Sequence, residues 1–139
     1  MYLVDTSVWI DFLRGSSTEA IEKLKALLRN QVPLGITAMI YQELLQGAAS
    51  EADFKKFRQY FGSQRFYHPL DAVASYLAAA RIYFVCRRQG ITVRSTIDCL
   101  IARIAIEHAL ILLDGDRDFE GIAQALPQLR RACIAQAEA

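Results

Sequence analysis

The chain has 139 residues, 53% of them hydrophobic, and a formal charge of +1. That length and apolar content suit one domain with a real core, taken here as residues 1–139, and exclude a disordered polyelectrolyte. No run of about 18 uncharged apolar residues occurs, so no membrane-spanning helix is expected.

In chain order, Tyr2-Leu3-Val4 reads as a short buried strand, and Thr6-Ser7 offers caps for a helix carrying Val8, Trp9, Ile10, Phe12 and Leu13. Gly15-Ser16-Ser17 breaks it, and a second helix is predicted over 18–29 with Ile21, Leu24, Leu27 and Leu28 as its stripe. Pro33–Ile36 reads as a second strand; Thr37 then caps a helix with Ile40, Leu44 and Leu45 that ends near Gly47. A helix over 51–60 precedes a third strand at Phe66-Tyr67. A long helix over 71–88 places Val73, Leu77, Ala80 and Phe84 on one face and stops at Gly90. Ser95 or Thr96 caps the next helix, through Ile97, Leu100, Ile101, Ile104 and Ala105. Leu110–Leu113 is the clearest strand, and a last one is expected near Leu129. Wholly apolar strands alternating with helices predict an α/β fold with a parallel sheet buried on both faces.

The opening Met1-Tyr2-Leu3-Val4-Asp5 has neither a basic stretch nor an apolar one, so no secretory signal is expected and the cytoplasm is the expected location. Three cysteines (Cys86, Cys99, Cys133) and two histidines (His68, His108) show neither paired spacing nor a zinc pattern, which argues against a disulfide framework or structural zinc.

The acids carry more information. Asp5 directly follows the first strand and Asp116 lies just past Leu110–Leu113; in open α/β sheets ligands gather beyond the carboxyl ends of strands. Asp98 opens a helix, and Glu43 sits beside the Ile40/Leu44 stripe, where an unpaired acid is costly. Singly, each has a plain structural explanation: a turn or cap for the aspartates, a solvent-facing or paired side chain for Glu43. Gathered in one pocket they would repel, and a divalent cation resolves that repulsion. Oxygen-only ligation favours Mg²⁺ or Mn²⁺, which promotes attack of water on a phosphodiester without a protein nucleophile. With those four acids set aside, 16 basic residues face 11 acidic ones, a surplus that suits a nucleic-acid substrate.

Four segments carry a family resemblance: Val4–Asp11, Tyr41–Gly47, Thr96–Ala102 and Leu112–Phe119. In order and interval they resemble the acidic motifs of PIN domains, and the chain is similar throughout to the VapC-type toxins of bacterial toxin–antitoxin pairs. The resemblance implies a three-layer α/β/α fold with about five parallel strands. It implies Mg²⁺- or Mn²⁺-dependent RNA cleavage, a homodimer, and a VapB-type antitoxin across the active site. By position it gives Asp5, Glu43, Asp98 and Asp116 as the acidic cluster, with Thr6, Ser7 and Thr96 as hydroxyls that orient carboxylates. Asp118 is open as a further or water-mediated ligand, and Asp114, where family members often carry another residue type, is expected to face solvent.

Arg14, Arg94 and Arg117 adjoin these segments and are candidates for RNA contact, each open also to being an ordinary solvated arginine. The aromatic run Phe54, Phe57, Tyr60, Phe61, Phe66, Tyr67 fits either core packing with a dimer seam or a groove for the antitoxin. A receiver domain would need a lysine near the last strand, and no lysine follows Lys56; a haloacid-dehalogenase-type phosphatase would need Asp-x-Asp where Asp5-Thr6-Ser7 stands. A catalytically silent PIN-like binding or scaffold module is the remaining alternative.

Overall fold

The computed structural model describes residues 1–115 and 117–132, the Arg117 side chain excepted. Five strands, β1 (Tyr2–Val4), β2 (Leu34–Ile36), β3 (Arg65–Phe66), β4 (Ile111–Leu113) and β5 (Arg130–Arg131), form one parallel sheet in the order β3-β2-β1-β4-β5. Leu3, Val4, Ile36, Leu112 and Leu113 are all fully buried. Successive strand residues point to opposite faces, so burial at both Leu3 and Val4 means both faces are covered.

The covering helices are α1 (Thr6–Leu13), α2 (Glu19–Arg29), α3 (Ala38–Gln46), α4 (Glu51–Gly62), α5 (Ala74–Arg88), α6 (Thr96–Glu107) and α7 (Arg117–Ala125). From β1 the chain steps outward to β2 and β3, then crosses back over β2 and β1 to β4 and steps on in that direction to β5. Right-handed crossovers put helices of opposite steps on opposite faces, which gives α1–α4 one side and α5–α7 the other. The contacts follow that division: α1 meets α2 and α3, α3 meets α4, and α5, α6 and α7 meet one another. The reversal lies between β1 and β4, so the crevice for a ligand opens at their carboxyl ends.

Two helix boundaries differ from expectation. Helix α1 starts at Thr6 with Asp5 as its cap, since the Asp5 carboxylate accepts from Ser7 N. Helix α5 starts at Ala74, because Asp71 Oδ1 accepts from Val73 N (2.8 Å) and Ala74 N (2.6 Å) and holds the preceding residues in a turn. The face of α5 also differs: Ser75, Ala79, Ile82 and Cys86 are buried, whereas Val73 and Leu77 are 76% and 72% exposed. Both stripes are apolar, and the one with small residues allows the closer approach to α6. Helix α5 ends as Gly90 predicts: Gly90 takes φ +74°, Ile91 N donates to Cys86 O and Gly90 N to Arg87 O.

A buried acid not singled out in the sequence locks the second layer. Glu107 accepts from Leu70 N (3.0 Å), Ser75 Oγ (2.6 Å) and Arg103 Nε (3.0 Å), tying the β3–α5 connection to the end of α6. The aromatic run divides. Phe61 and Tyr67 are buried and Phe61 packs edge-on against Trp9 at 5.1 Å, whereas Phe54 and Tyr60 are 43% and 46% exposed. Cys86 and Cys99 are buried free thiols, and Cys133 lies outside the described residues.

Candidate active site

Asp5 leaves β1 at the reversal point, its backbone N–H donating to Leu113 O of β4 at 2.9 Å. Its extended backbone turns directly into α1, so its Oδ2 accepts from Ser7 N (3.3 Å) and Ser7 Oγ (2.9 Å). Ser7 Oγ in turn accepts from Gly115 N at 3.4 Å, linking the carboxylate to the loop after β4. Asp5 is 5% exposed. Burial pushes its carboxyl up to about 6; the Ser7 bonds counteract this in part, and the charge of Glu43 adds to it.

Glu43 comes from α3, whose start is fixed by Thr37 Oγ1 accepting from Ile40 N at 3.1 Å. It is half-buried, and burial raises its carboxyl above the usual range, with the neighbouring Thr6 hydroxyl working the other way. The Thr6–Glu43 approach falls short of full hydrogen-bond geometry: Thr6 Oγ1 is buried and otherwise without a partner. Ser7 and Thr6 therefore attend different acids, Asp5 and Glu43.

Asp98 lies in the first turn of α6 and is half-buried. Helix α6 turns back within three residues into β4 and so runs antiparallel to it, which brings this end of α6 to the carboxyl edge of the sheet. Ser95 is the N-cap residue but makes no side-chain cap bond. Thr96 is exposed, lines a cavity of about 270 Å³ between α5 and α6, and makes no hydrogen bond to a carboxylate among the described residues. Asp118, 5% exposed, accepts from Arg94 N at 3.2 Å and lies 3.6 Å from Arg94 Nε, so it braces the loop before α6. Burial, with Cys86, Asp98 and Asp118 nearby, pushes the Cys99 thiol up to about 12. Asp116 lies outside the described residues, as does the Arg117 side chain.

Asp114 is a correction. It does not face solvent: it is 3% exposed and receives two hydrogen bonds from Arg131, Nε to Oδ2 at 2.9 Å and Nη2 to Oδ1 at 2.7 Å. The sequence offered no sign of this partner, which arrives from the neighbouring strand β5. Of the arginine candidates, Arg94 is exposed beside Asp118, whereas Arg14 caps the far end of α1, about 13 Å of helix from Asp5.

The donors are all oxygens, and Asp5 with Glu43 makes a pair whose mutual charge a cation would relieve. No three His, Cys, Asp or Glu side chains among the described residues close a metal site by themselves. A hard divalent ion therefore fits the donor chemistry of Asp5, Glu43 and the unpartnered Thr6 hydroxyl.

The PIN domain profile matches residues 2–125. The chain belongs to the PIN-domain family. Among PIN relatives it is 34% identical to Ribonuclease VapC11 of Mycobacterium tuberculosis over 125 residues, 89% of this chain and 92% of the relative. The same figures hold for VapC ribonuclease Mb1587 of Mycobacterium bovis. Solved structures agree on the PIN fold. VapBC-1 of nontypeable Haemophilus influenzae superposes with a TM-score of 0.71 at 18% identity, covering 97% of this chain and 98% of that one. The complex of VapBC2 from Rickettsia felis with a promoter DNA fragment gives 0.68 at 15% identity, covering 94% and 96%. No helix among the described residues is long and apolar enough to cross a membrane.

Proposed function

We propose that this chain is the toxin of a toxin–antitoxin pair, an endoribonuclease that uses Mg²⁺ or Mn²⁺ to hydrolyse RNA phosphodiester bonds. The carrying observation is Asp5: a buried carboxylate at the sheet's reversal point, beside a second acid, with its carboxyl raised to about 6. The names of the 34%-identical relatives support the ribonuclease reading.

Asp5, Glu43, Asp98 and Asp116 would hold the ion, with Asp118 bracing the loop before α6. Bound there, it supplies Lewis-acid chemistry, making water a better nucleophile and offsetting charge on the phosphate. Ser7 holds the Asp5 carboxylate in one orientation, and Thr6 sits against Glu43. Burial of Asp5 keeps bulk water from screening its charge. RNA would approach over the second layer, where Arg81, Arg87, Arg88 and Arg94 fall in a stretch without acids between Asp71 and Asp98.

A VapB-type antitoxin is the proposed partner, because VapBC-1 of Haemophilus influenzae and VapBC2 of Rickettsia felis share this fold. The proposed homodimer would meet at the start of α5, where Leu70 and Val73 before the helix and Tyr76 and Leu77 within it are exposed apolar side chains. The cytoplasm is the proposed location, and residues 1–139 the proposed single domain.

The test incubates antitoxin-free protein with total RNA, with Mg²⁺, Mn²⁺ or EDTA, alongside Asp5→Ala and Asp98→Ala. Metal-dependent cleavage lost in both variants is the expected result. Cleavage that survives EDTA or both substitutions would overturn the site assignment.

A further inference from the structure

We propose that Arg131 is a positioning residue of this site, which by clamping Asp114 withdraws that acid from the metal ligands. The inference rests on the nuclease reading above. Val4 and Leu113 are register partners, so Asp5 and Asp114 are the next residues along two adjacent strands, roughly 5 Å apart across the ladder. A second buried carboxylate so near Asp5 must be compensated. Either it shares the cation with Asp5, or the protein supplies its own positive charge.

The structure supplies the charge. Arg131 reaches Asp114 with Nε at 2.9 Å and Nη2 at 2.7 Å, so each carboxylate oxygen receives an N–H. The Asp114 side chain is 1% exposed and that of Arg131 30%. A guanidinium stays charged throughout the working pH range, and its planar fork satisfies both oxygens, which an ammonium does not do. Asp114 thus adds no net charge beside Asp5, and its oxygens are occupied. The same clamp ties the carboxyl end of β4, where the loop toward Asp116 departs, to β5, which is anchored by Ala132 N donating to Leu112 O at 2.8 Å. Arg131 lies beyond residues 2–125, the stretch matched to the family.

Antitoxin-free wild type, Arg131→Met, Arg131→Lys, Asp114→Asn and the double variant Asp114→Asn/Arg131→Met would be compared by thermal melting, by Mn²⁺ binding in calorimetry, and by kcat and KM for RNA. Without its clamp, Asp114 becomes a spare ligand next to Asp5. Arg131→Met is expected to change Mn²⁺ affinity or stoichiometry and to lower kcat about tenfold or more, with KM within about twofold. The double variant, again neutral at the pair, is expected to recover both Mn²⁺ binding and kcat to within about threefold of wild type. Arg131→Lys, which keeps the charge and loses the fork, should fall between, and carries the comparison if Arg131→Met does not fold. Wild-type Mn²⁺ binding and kcat in both Arg131 variants, with only the melting temperature reduced, would overturn the proposal. So would a double variant as impaired as Arg131→Met. Wild type that neither binds Mn²⁺ nor cleaves RNA would instead overturn the nuclease reading, and this inference with it.

Discussion

Asp5→Asn should make the metal-free protein more stable while abolishing cleavage. Asn keeps the acceptor oxygen used by Ser7 and is as good a helix cap as Asp, so little local structure is lost. What disappears is a buried negative charge. A carboxyl held at about 6 in the fold against 3.8 in the open chain costs about 3 kcal/mol of stability once pH is well above 6. The sign follows from the raised carboxyl: its protonated form is favoured in the folded state, so stability is lost as pH rises from about 4 through 6 and is regained on acidification. The assay is urea or thermal unfolding of wild type and Asp5→Asn in EDTA at pH 7.5 and pH 4. A gain of roughly 2–3 kcal/mol is expected at the higher pH, shrinking to less than about 1 kcal/mol at the lower. Mg²⁺ at about 100 times its Kd should then stabilise wild type by about 2.7 kcal/mol and the variant by much less. A variant less stable than wild type at pH 7.5, or a difference that ignores pH, would refute the reasoning.

Glu107→Ala should destabilise the fold by about 2–4 kcal/mol, because Leu70 N and Ser75 Oγ lose their acceptor; chemical denaturation would show it. Burial would raise the Glu107 carboxyl, but bonds from Ser75, Leu70 and Arg103 outweigh it and hold it low, so this contribution is present above about pH 4.5 and fades below it. Cys99, with its thiol pushed up to about 12, should resist iodoacetamide at pH 8 until the protein is unfolded; prompt labelling of the native protein, read by mass spectrometry, would contradict its burial. Leu77→Asp should leave the melting temperature within a few degrees and convert the proposed dimer to a monomer in sedimentation, since Leu77 is 72% exposed on α5.

The layers were legible because β1, β2 and β4 are short, apolar and separated by helix-length stretches, as in a parallel sheet covered on both faces; the edge strands Arg65–Phe66 and Arg130–Arg131 carry no such signal. Asp5 could be found from its place after β1 alone, since topology carries that position to the ligand edge. The inward face of α5 was not legible: Val73/Leu77 and Ala79/Ile82 are both apolar stripes, and the choice depends on how closely α6 approaches. Nor was the fate of Asp114, whose burial is decided by an arginine 17 positions later on another strand. Glu107 escaped notice because its partners, Leu70 and Ser75, belong to a connection whose path sequence periodicity does not describe. Local spacing finds acids at strand ends; it cannot find the cations and amides that long-range pairing brings to them.

The strand order has a consequence for biosynthesis. The central strand β1 is the first made, yet Asp5 gains its backbone partner only when Leu113 arrives. At ordinary translation rates roughly 5–20 s separate the two residues. During that interval β1 lacks its β4 neighbour, and Asp5 lacks the Leu113 carbonyl that receives its backbone N–H. The site at the reversal between β1 and β4 is thereby completed only after β4 has been made.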